Sequence, residues 1–170
     1  MRDQYRKLPR NAAMAAAISL LASASGASAQ PAVTGEQARA IIAPFYDALN
    51  QPAKKDVAKL LGEATSAEWQ SCGANETCLP RERVIGGFKS RGETVPDLKW
   101  EIKEVLVSGN RVIVRGEGSG TPATVFMGVQ PAGKSFRVMS IDVHTIEGGK
   151  IVRSYHLEDW AGAVRQLSAQ

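Results

Sequence analysis

The segment SIDVHTIEGGKIVRSYHLEDW, residues 140–160, decides which side chains of the predicted sheet meet one another. Apolar and polar residues alternate on both sides of Gly148 and Gly149, and such alternation is typical of β-strands. Adjacent glycines accept the positive φ angles that a tight hairpin turn requires. The segment therefore predicts a β-hairpin whose first strand carries Asp142 and whose second strand carries His156.

The register of this hairpin determines whether Asp142 and His156 share a face of the sheet. A turn of two residues, Gly148 and Gly149 alone, places Asp142 opposite Tyr155. A turn of three residues places Asp142 opposite His156 instead. A shift of one residue moves every side chain of a strand to the other face. Two successive glycines permit either turn, so the spacing alone leaves both registers open.

The rest of the chain predicts helices first and strands afterwards. Thr34 and Gln37 have the spacing of a capping box, and helical periodicity follows them and recurs at 52–62, 79–93 and 158–167. Beyond Pro96 the period changes to two, which predicts strands at 98–107, 110–118, 124–129, 135–146 and 150–158. This order predicts an α+β domain in which the N-terminal helices cover one face of a strongly curved antiparallel sheet.

Residues 1–29 have the pattern of a secretory signal peptide. A basic start is followed by an apolar stretch at 12–22 and by Ala27-Ser28-Ala29, which fits a small-x-small cleavage site. The apolar stretch is too short to span a bilayer. The pattern predicts a periplasmic or secreted domain at 30–170, with no membrane association once the leader is removed.

The leader also explains the basic composition. Its four basic residues and Asp3 account for three of the four units of formal positive charge, which leaves the mature chain at +1. Nucleic-acid binding requires clustered cations that face phosphates, and the sequence has no such cluster. We therefore expect no nucleic-acid partner.

Cys72 and Cys78 bracket the short polar stretch CGANETC, residues 72–78. Thiols tend to pair in the oxidising compartment that the leader indicates, so we predict a disulfide. A zinc site would need two further ligands, and His144 and His156 are the only histidines. Because the sequence also has no phosphate-binding glycine loop, we expect no metal and no organic cofactor.

Several short motifs, in their order, resemble a known family. FMGVQPAGKSF at 126–136 and the hairpin at 140–160 resemble the SnoaL-like polyketide (ester) cyclases of the nuclear transport factor 2-like superfamily. That family typically shows a Phe-x-Gly-x-Pro-Pro-x-Gly-Lys turn, an Ile-Asp strand and a Gly-Lys-Ile hairpin. VPDLKWEI at 95–102 and NRVIVRGEG at 110–118 resemble its middle strands, so the likeness extends over about residues 38–167.

The resemblance implies a cone-shaped α+β barrel in which helices close one mouth of a bent sheet around an apolar pocket. It also implies the register that places Asp142 and His156 on one face. Asp142 matches the strand aspartate that, in related ketosteroid isomerases, helps to stabilise an oxyanion. His156 lies where the cyclases usually carry their catalytic aspartate. The family's His-Asp pair after the second helix is not visible in this sequence.

These matches imply an exported cyclase that removes a proton next to the carbonyl of a small apolar substrate. Such a reaction needs a base and a partner for the developing negative oxygen. We expect His156 to act as the base or proton relay, since its unperturbed pKa of about 6.5 suits that role. A desolvated Asp142 that stays protonated would donate to the oxyanion. The alternatives are that the two residues satisfy each other inside the sheet, or that His156 faces solvent or a dimer partner.

Further side chains are candidates for the wall of the pocket. His144 shares the strand face of Asp142, although a histidine at a strand end is more often a surface residue. The other candidates, for which core packing is the alternative role, are Tyr46, Trp69, Phe88, Trp100, Phe126 and Ser154. A non-catalytic module that binds a small molecule in the same pocket is the competing function. Self-association as a homodimer is compatible with either function.

Overall fold

The computed structural model describes residues 32–169, so the predicted signal peptide lies outside the described residues. Within this range four α-helices and one 3₁₀ helix pack on a six-stranded sheet. The α-helices are α1 at Gly35–Leu49, α2 at Val57–Ala64, α3 at Arg81–Thr94 and α4 at Trp160–Ser168, and the 3₁₀ helix is Pro52–Lys54. The strands are β1 at Thr65–Ala74, β2 at Thr77–Pro80, β3 at Lys99–Ser108, β4 at Arg111–Gly120, β5 at Phe136–Glu147 and β6 at Lys150–Glu158.

The sheet is mixed and has the strand order β2-β1-β6-β5-β4-β3. Neighbouring strands run antiparallel, except that β1 pairs with β6 in parallel. The predicted α+β class, with helices on a curved sheet, is confirmed. The sheet is curled but not closed, because the two edge strands, β2 and β3, do not pair with each other.

Three local predictions differ from the structure. Residues 65–80 form β1 and β2, which their polar sequence did not predict. The strand predicted at 124–129 is absent, because positive φ angles at Met127 and Gly128 turn the chain there and leave only an isolated bridge. The second helix begins at Val57, where the Asp56 side chain accepts from the Lys59 N–H and caps it, rather than at residue 52.

Helix α1 contributes one apolar face to the hydrophobic core. The predicted capping box is present, since Thr34 and Gln37 exchange both hydrogen bonds. The helix continues through Pro44, and its buried face consists of Ala38, Ile42, Phe45, Tyr46, Ala48 and Leu49. Burial of this apolar face, rather than helix propensity, supplies most of the stability of such a helix. As a result Tyr46 extends from α1 into the interior.

The hairpin of β5 and β6 has the two-residue turn of one predicted register and the Asp142–His156 pairing of the other. Gly148 and Gly149 form a two-residue turn, with φ angles of 55° and 75°. The register then shifts by one residue at a bulge, where Val152 is the extra residue of β6. Asp142 consequently lies opposite His156, as the resemblance implies, although the cause is the bulge and not a longer turn.

The predicted disulfide is present and joins Cys72 of β1 to Cys78 of β2. It connects the two strands at a point where these residues also pair in register. Cys72 is buried, so the bond fixes the edge of the sheet to its interior. Within residues 32–169, no helix has both the length and the apolar character needed to cross a membrane.

The outer face of the sheet exposes large apolar side chains. These are Met139 and Ile141 of β5 and Tyr155 and Leu157 of β6, which alternate with the inward-facing residues of the same strands. A homodimer that uses this face remains a prediction.

The inner face depends on a close approach between Trp100 of β3 and Gly118 of β4. The two residues are paired across the strands, and the indole ring covers the glycine. The indole Nε1 donates to Ser140 Oγ at 3.1 Å, which fixes the ring on the inner face. Glycine is therefore required at position 118 for Trp100 to reach this position.

Replacing Gly118 with alanine should destabilise the fold. A Cβ at this position would lie 2.6–2.9 Å from three atoms of the Trp100 ring. Overpacking of this kind costs about 1–3 kcal/mol, which urea unfolding measures directly. Gly86→Ala in α3 is the control, because its Cβ would meet nothing within 4 Å and alanine favours a helix by about 1 kcal/mol. Similar effects of the two changes would contradict the close approach.

Candidate active site

A pocket of about 210 Å³ lies between α3 and the inner face of the sheet. Its walls are mostly apolar, and the larger apolar side chains among them are Phe45, Leu49, Leu79, Val84, Phe88, Trp100 and Trp160. Five charged or titratable side chains also reach it, namely Arg83, Arg91, Asp142, His156 and Glu158. Polar groups that converge in an apolar cavity are typical of a ligand site. Across residues 32–169, no three His, Cys, Asp or Glu side chains are grouped as a metal ion would require.

Asp142 extends from β5 into this pocket and is only 5% exposed. The Tyr46 hydroxyl donates a hydrogen bond to Asp142 Oδ2 at 2.9 Å. Burial raises the pKa of Asp142 to about 7, because a charged carboxylate loses its hydration there, while the bond from Tyr46 opposes the rise. Asp142 therefore changes its charge near neutral pH.

His156 extends from β6 and is paired with Glu158 two residues further along the same strand. The ring Nδ1 lies 2.9 Å from Glu158 Oε1, and the other carboxylate oxygen accepts from Trp160 Nε1 at 3.0 Å. The hydrogen bond with Glu158 raises the pKa of His156 above its usual value, although partial burial opposes this. Because Nδ1 faces Glu158, Nε2 is the ring atom that remains for a ligand.

A buried chain of hydrogen bonds supports Asp142 from behind. An indole N–H can only donate, so Trp69 Nε1 donates to Ser154 Oγ at 3.0 Å. Ser154 Oγ also lies 2.8 Å from His144 Nδ1, and His144 Nε2 lies 3.2 Å from the Tyr46 oxygen. An ionised Asp142 can only accept, so the Tyr46 proton is donated to it. Neutral His144 then donates from Nε2 to the Tyr46 oxygen and accepts at Nδ1 from the Ser154 hydroxyl, so with Asp142 ionised every bond points toward the carboxylate.

The charge state of His144 fits this direction. The ring is fully buried, and burial lowers its pKa to about 3, so it is neutral at ordinary pH. Burial also raises the pKa of Tyr46 well above its usual value, which keeps the hydroxyl proton in place. The chain of hydrogen bonds therefore ends in a neutral donor to Asp142 and places no second charge beside it.

The structure separates the predicted site residues into three groups. Asp142, His156, Phe88 and Trp100 line the pocket. The buried chain behind Asp142 consists of Tyr46, Trp69, His144 and Ser154. Phe126 lies apart, stacked on Phe136 with ring centroids 5.3 Å apart. His144 is thus neither a surface histidine nor part of the wall, because α1 and β1 cover it.

Sequence reasoning missed three charged groups of the pocket. Glu158 follows His156 by two residues, so the strand period already places both on one face. Arg83 and Arg91 lie on α3 with Gly87 midway between them, which is helical spacing. The weakly amphipathic sequence of α3 did not indicate which face meets the pocket.

Replacing Asp142 with asparagine should change how stability depends on pH. The pKa of Asp142 is about 7 in the fold and near 3.9 in an unfolded chain, so the folded carboxyl retains a proton that the unfolded one loses. Relative to the Asp142→Asn variant, the wild type should lose stability as the pH rises from about 4 to 7, by up to about 4 kcal/mol. Urea unfolding between pH 4 and 8 measures this difference.

Tyr46→Phe is the second variant for this measurement. It removes the hydrogen bond that lowers the pKa of Asp142, so the decline should extend to a higher pH than in the wild type. A stability difference between wild type and Asp142→Asn that stays constant over this range would contradict the raised pKa.

Comparisons with known proteins agree with this architecture. The family model described as SnoaL-like polyketide cyclase matches residues 41–167. A comparison with curated protein sequences found no significant match.

Solved structures with the same fold come from several bacteria. TsrD from Streptomyces laurentii is 22% identical over 81% of this chain and 98% of its own, with a TM-score of 0.69. Wild-type IdmH from Streptomyces antibioticus is 24% identical over 78% of this chain and 99% of its own, with a TM-score of 0.68. A SnoaL-like polyketide cyclase from Agrobacterium tumefaciens is 20% identical over 77% and 98%, with a TM-score of 0.62. By its family match and its fold, the chain belongs to the SnoaL-like polyketide cyclase family.

Proposed function

We propose that this protein is a cyclase or isomerase that forms an enolate from a small apolar carbonyl compound. The observation that carries the proposal is the position of Asp142 and His156, which lie opposite each other on neighbouring strands and line one apolar pocket. A carboxyl group and an imidazole so placed provide the base and the acid that proton transfer next to a carbonyl requires.

Asp142 is the proposed base. One carboxylate oxygen, Oδ2, is held by Tyr46, whereas Oδ1 makes no hydrogen bond within the described residues. Every fully buried side-chain oxygen and nitrogen in that range has a hydrogen-bond partner. Oδ1 has none, so it is not fully buried, and we infer that it faces the pocket. A base is most effective when its pKa lies near the working pH, and burial brings the pKa of Asp142 to about 7.

His156 is the proposed acid. Its hydrogen bond with Glu158 raises its pKa and favours the imidazolium form, whose Nε2–H lies beside Gly73 and has no hydrogen-bond partner within the described residues. A donor aimed at the substrate oxygen stabilises the charge that develops on it. This assignment reverses the roles expected from the resemblance, in which His156 is the base, and the reason is Glu158.

The proposed reaction conserves its protons. Asp142 removes a proton from the carbon next to the carbonyl, and His156 donates a hydrogen bond or its proton to the enolate oxygen. In a cyclisation the enolate carbon then attacks a second carbonyl of the same molecule and forms a carbon–carbon bond. The proton held by Asp142 neutralises the new alkoxide. In an isomerisation the same proton returns to a different carbon.

We also propose that the protein is exported to the periplasm or the exterior. The leader pattern at residues 1–29 supports export. The Cys72–Cys78 disulfide supports the same location, because such bonds persist in oxidising compartments.

Deuterium exchange tests the proposed proton abstraction without knowledge of the substrate. The purified protein in D₂O should accelerate exchange of the protons next to the carbonyl of 2-tetralone, an apolar ketone, as followed by NMR. Asp142→Asn should reduce this acceleration at least about 100-fold, because a general base contributes at least that factor. Asp47→Asn, an exposed carboxylate of α1, is the matched control and should leave the rate unchanged. Ketone binding by the wild type without exchange would contradict catalysis and favour a binding module.

The pH profile of the exchange tests the roles of the two groups. With Asp142 as an ionised base and His156 as a protonated acid, the rate should rise through about pH 7 and fall again at higher pH. Glu158→Gln removes a group that raises the pKa of both residues, so both limbs should move to lower pH. A profile that rises with pH and does not fall in this variant or the wild type would contradict the acid role of His156.

A further inference from the structure

We propose that Arg91 and Arg83 of α3 bind a carboxylate, so that the natural ligand is a small apolar carbonyl compound that carries an acidic group. The inference rests on the proposed function in one respect only, namely that the pocket is the substrate site. It adds the chemical class of the substrate and the orientation in which it binds.

The two arginines lie on the same stripe of α3. Residues 83, 87 and 91 are separated by four positions each, so their side chains follow one another along the helix. All three residues line the pocket. The middle residue is Gly87, and a Cβ at that position would meet nothing within 4 Å. No side chain therefore fills the pocket wall at position 87, between the two arginines.

Arg91 forms no ion pair with a carboxylate in the part of the chain that the structure describes. No carboxylate oxygen of residues 32–169 lies within 4.0 Å of its guanidinium, although the side chain is half-buried. Its guanidinium instead lies over the ring of Trp160, with the Cζ atom 4.7 Å from the ring centroid. Desolvation lowers the pKa of Arg91, and although the charge of Glu158 opposes this, it does not fully compensate the guanidinium.

The acidic groups of the pocket are already engaged elsewhere. Glu158 accepts hydrogen bonds from His156 and from Trp160, and Asp142 accepts one from Tyr46. The arginines and a protonated His156 together exceed the negative charge of these two carboxylates. A bound anion would balance this excess, and it would do so beside Arg91.

The charge of the pocket favours a carboxylate over a phosphate. A guanidinium that lies over the Trp160 ring can still donate two parallel N–H bonds to either anion, but the pocket has one positive charge in excess, which matches a monoanionic carboxylate. A ligand held in this way at α3 extends toward the sheet. Its carbonyl would then lie beside Asp142 and His156, which line the same pocket.

Binding of a matched acid and ester tests this site directly. The probes are 2-naphthoate and methyl 2-naphthoate, which share an apolar body and differ in charge, and calorimetry gives their dissociation constants. The wild type should bind the acid at least about tenfold more tightly than the ester, since a hydrogen bond between charged groups is worth at least that factor. Higher salt should weaken binding of the acid and leave the ester unaffected.

Four substitutions on α3 show which of its residues cause the preference for the acid. Arg91→Gln should abolish the preference for the acid, and Arg83→Gln, at an exposed position, should reduce it by about threefold. Lys89→Gln removes one positive charge from the same helix outside the pocket and should leave the preference unchanged. Because Arg91 packs on Trp160, Arg91→Lys is the further variant; it keeps the charge and should retain an intermediate preference. Thermal unfolding confirms that each variant is folded.

The same titrations in the Asp142→Asn protein separate this inference from the proposed catalysis. That variant should lose proton exchange and keep its preference for the acid. Equal affinity for acid and ester, undetectable binding of the acid, or equal losses in Arg91→Gln and Lys89→Gln would overturn the carboxylate site. Each of those results would leave the exchange measurement on 2-tetralone standing.

Discussion

The hydrogen bond from Tyr46 to Asp142 connects the helical layer to the sheet at the point where a carboxyl group is buried. Burial of an isolated carboxylate is energetically strongly unfavourable. In this fold the Tyr46 hydroxyl offsets part of that cost by donating a hydrogen bond to the carboxylate. The donor is itself ordered by His144, Ser154 and Trp69, so that α1, β5, β6 and β1 all contribute to one chain. Its single direction comes from the ionised carboxylate at its near end, which can accept but not donate, and the indole at its far end is consistent with that direction. As a result, Asp142 can accept a proton near neutral pH, and its second carboxylate oxygen faces an apolar cavity.

The bulge in β6 determines which side chain lies opposite Asp142 on the inner face of the sheet. Without the extra residue Val152, a two-residue turn would place Tyr155 opposite Asp142 and turn His156 to the outer face. The bulge brings His156 inward, where Glu158 on the same strand face fixes its Nδ1. The two halves of the pocket therefore differ in character. One presents a buried acceptor and the other a charged donor, and this pairing of opposite roles is what enolate chemistry requires.

The sequence predicted those parts of the fold that depend on periodicity and local capping. The twofold alternation of β5 and β6 and the capping box of α1 are properties of neighbouring residues, and they appear as predicted. Strand β1 was missed because its buried positions, Trp69 and Cys72 among them, are separated by polar residues without a clear period. Its parallel pairing with β6 joins segments about eighty residues apart, which local patterns do not encode. The strand expected at 124–129 has the required apolar run, but only Phe126 of it is buried, Val125 and Met127 are exposed, and the turn at Met127 and Gly128 limits pairing to one bridge.

The candidate site was predictable to the extent that it follows the strands. Asp142 and His156 were identified, but the direction of proton transfer between them depends on Glu158 and on three-dimensional burial. Direct titration of the Asp142 carboxyl carbon by ¹³C NMR, with Asp142→Asn to assign the signal, tests the central claim most directly. We expect a transition near pH 7 that moves to higher pH in Tyr46→Phe. A transition near pH 4, unaffected by the loss of the Tyr46 hydroxyl, would contradict it.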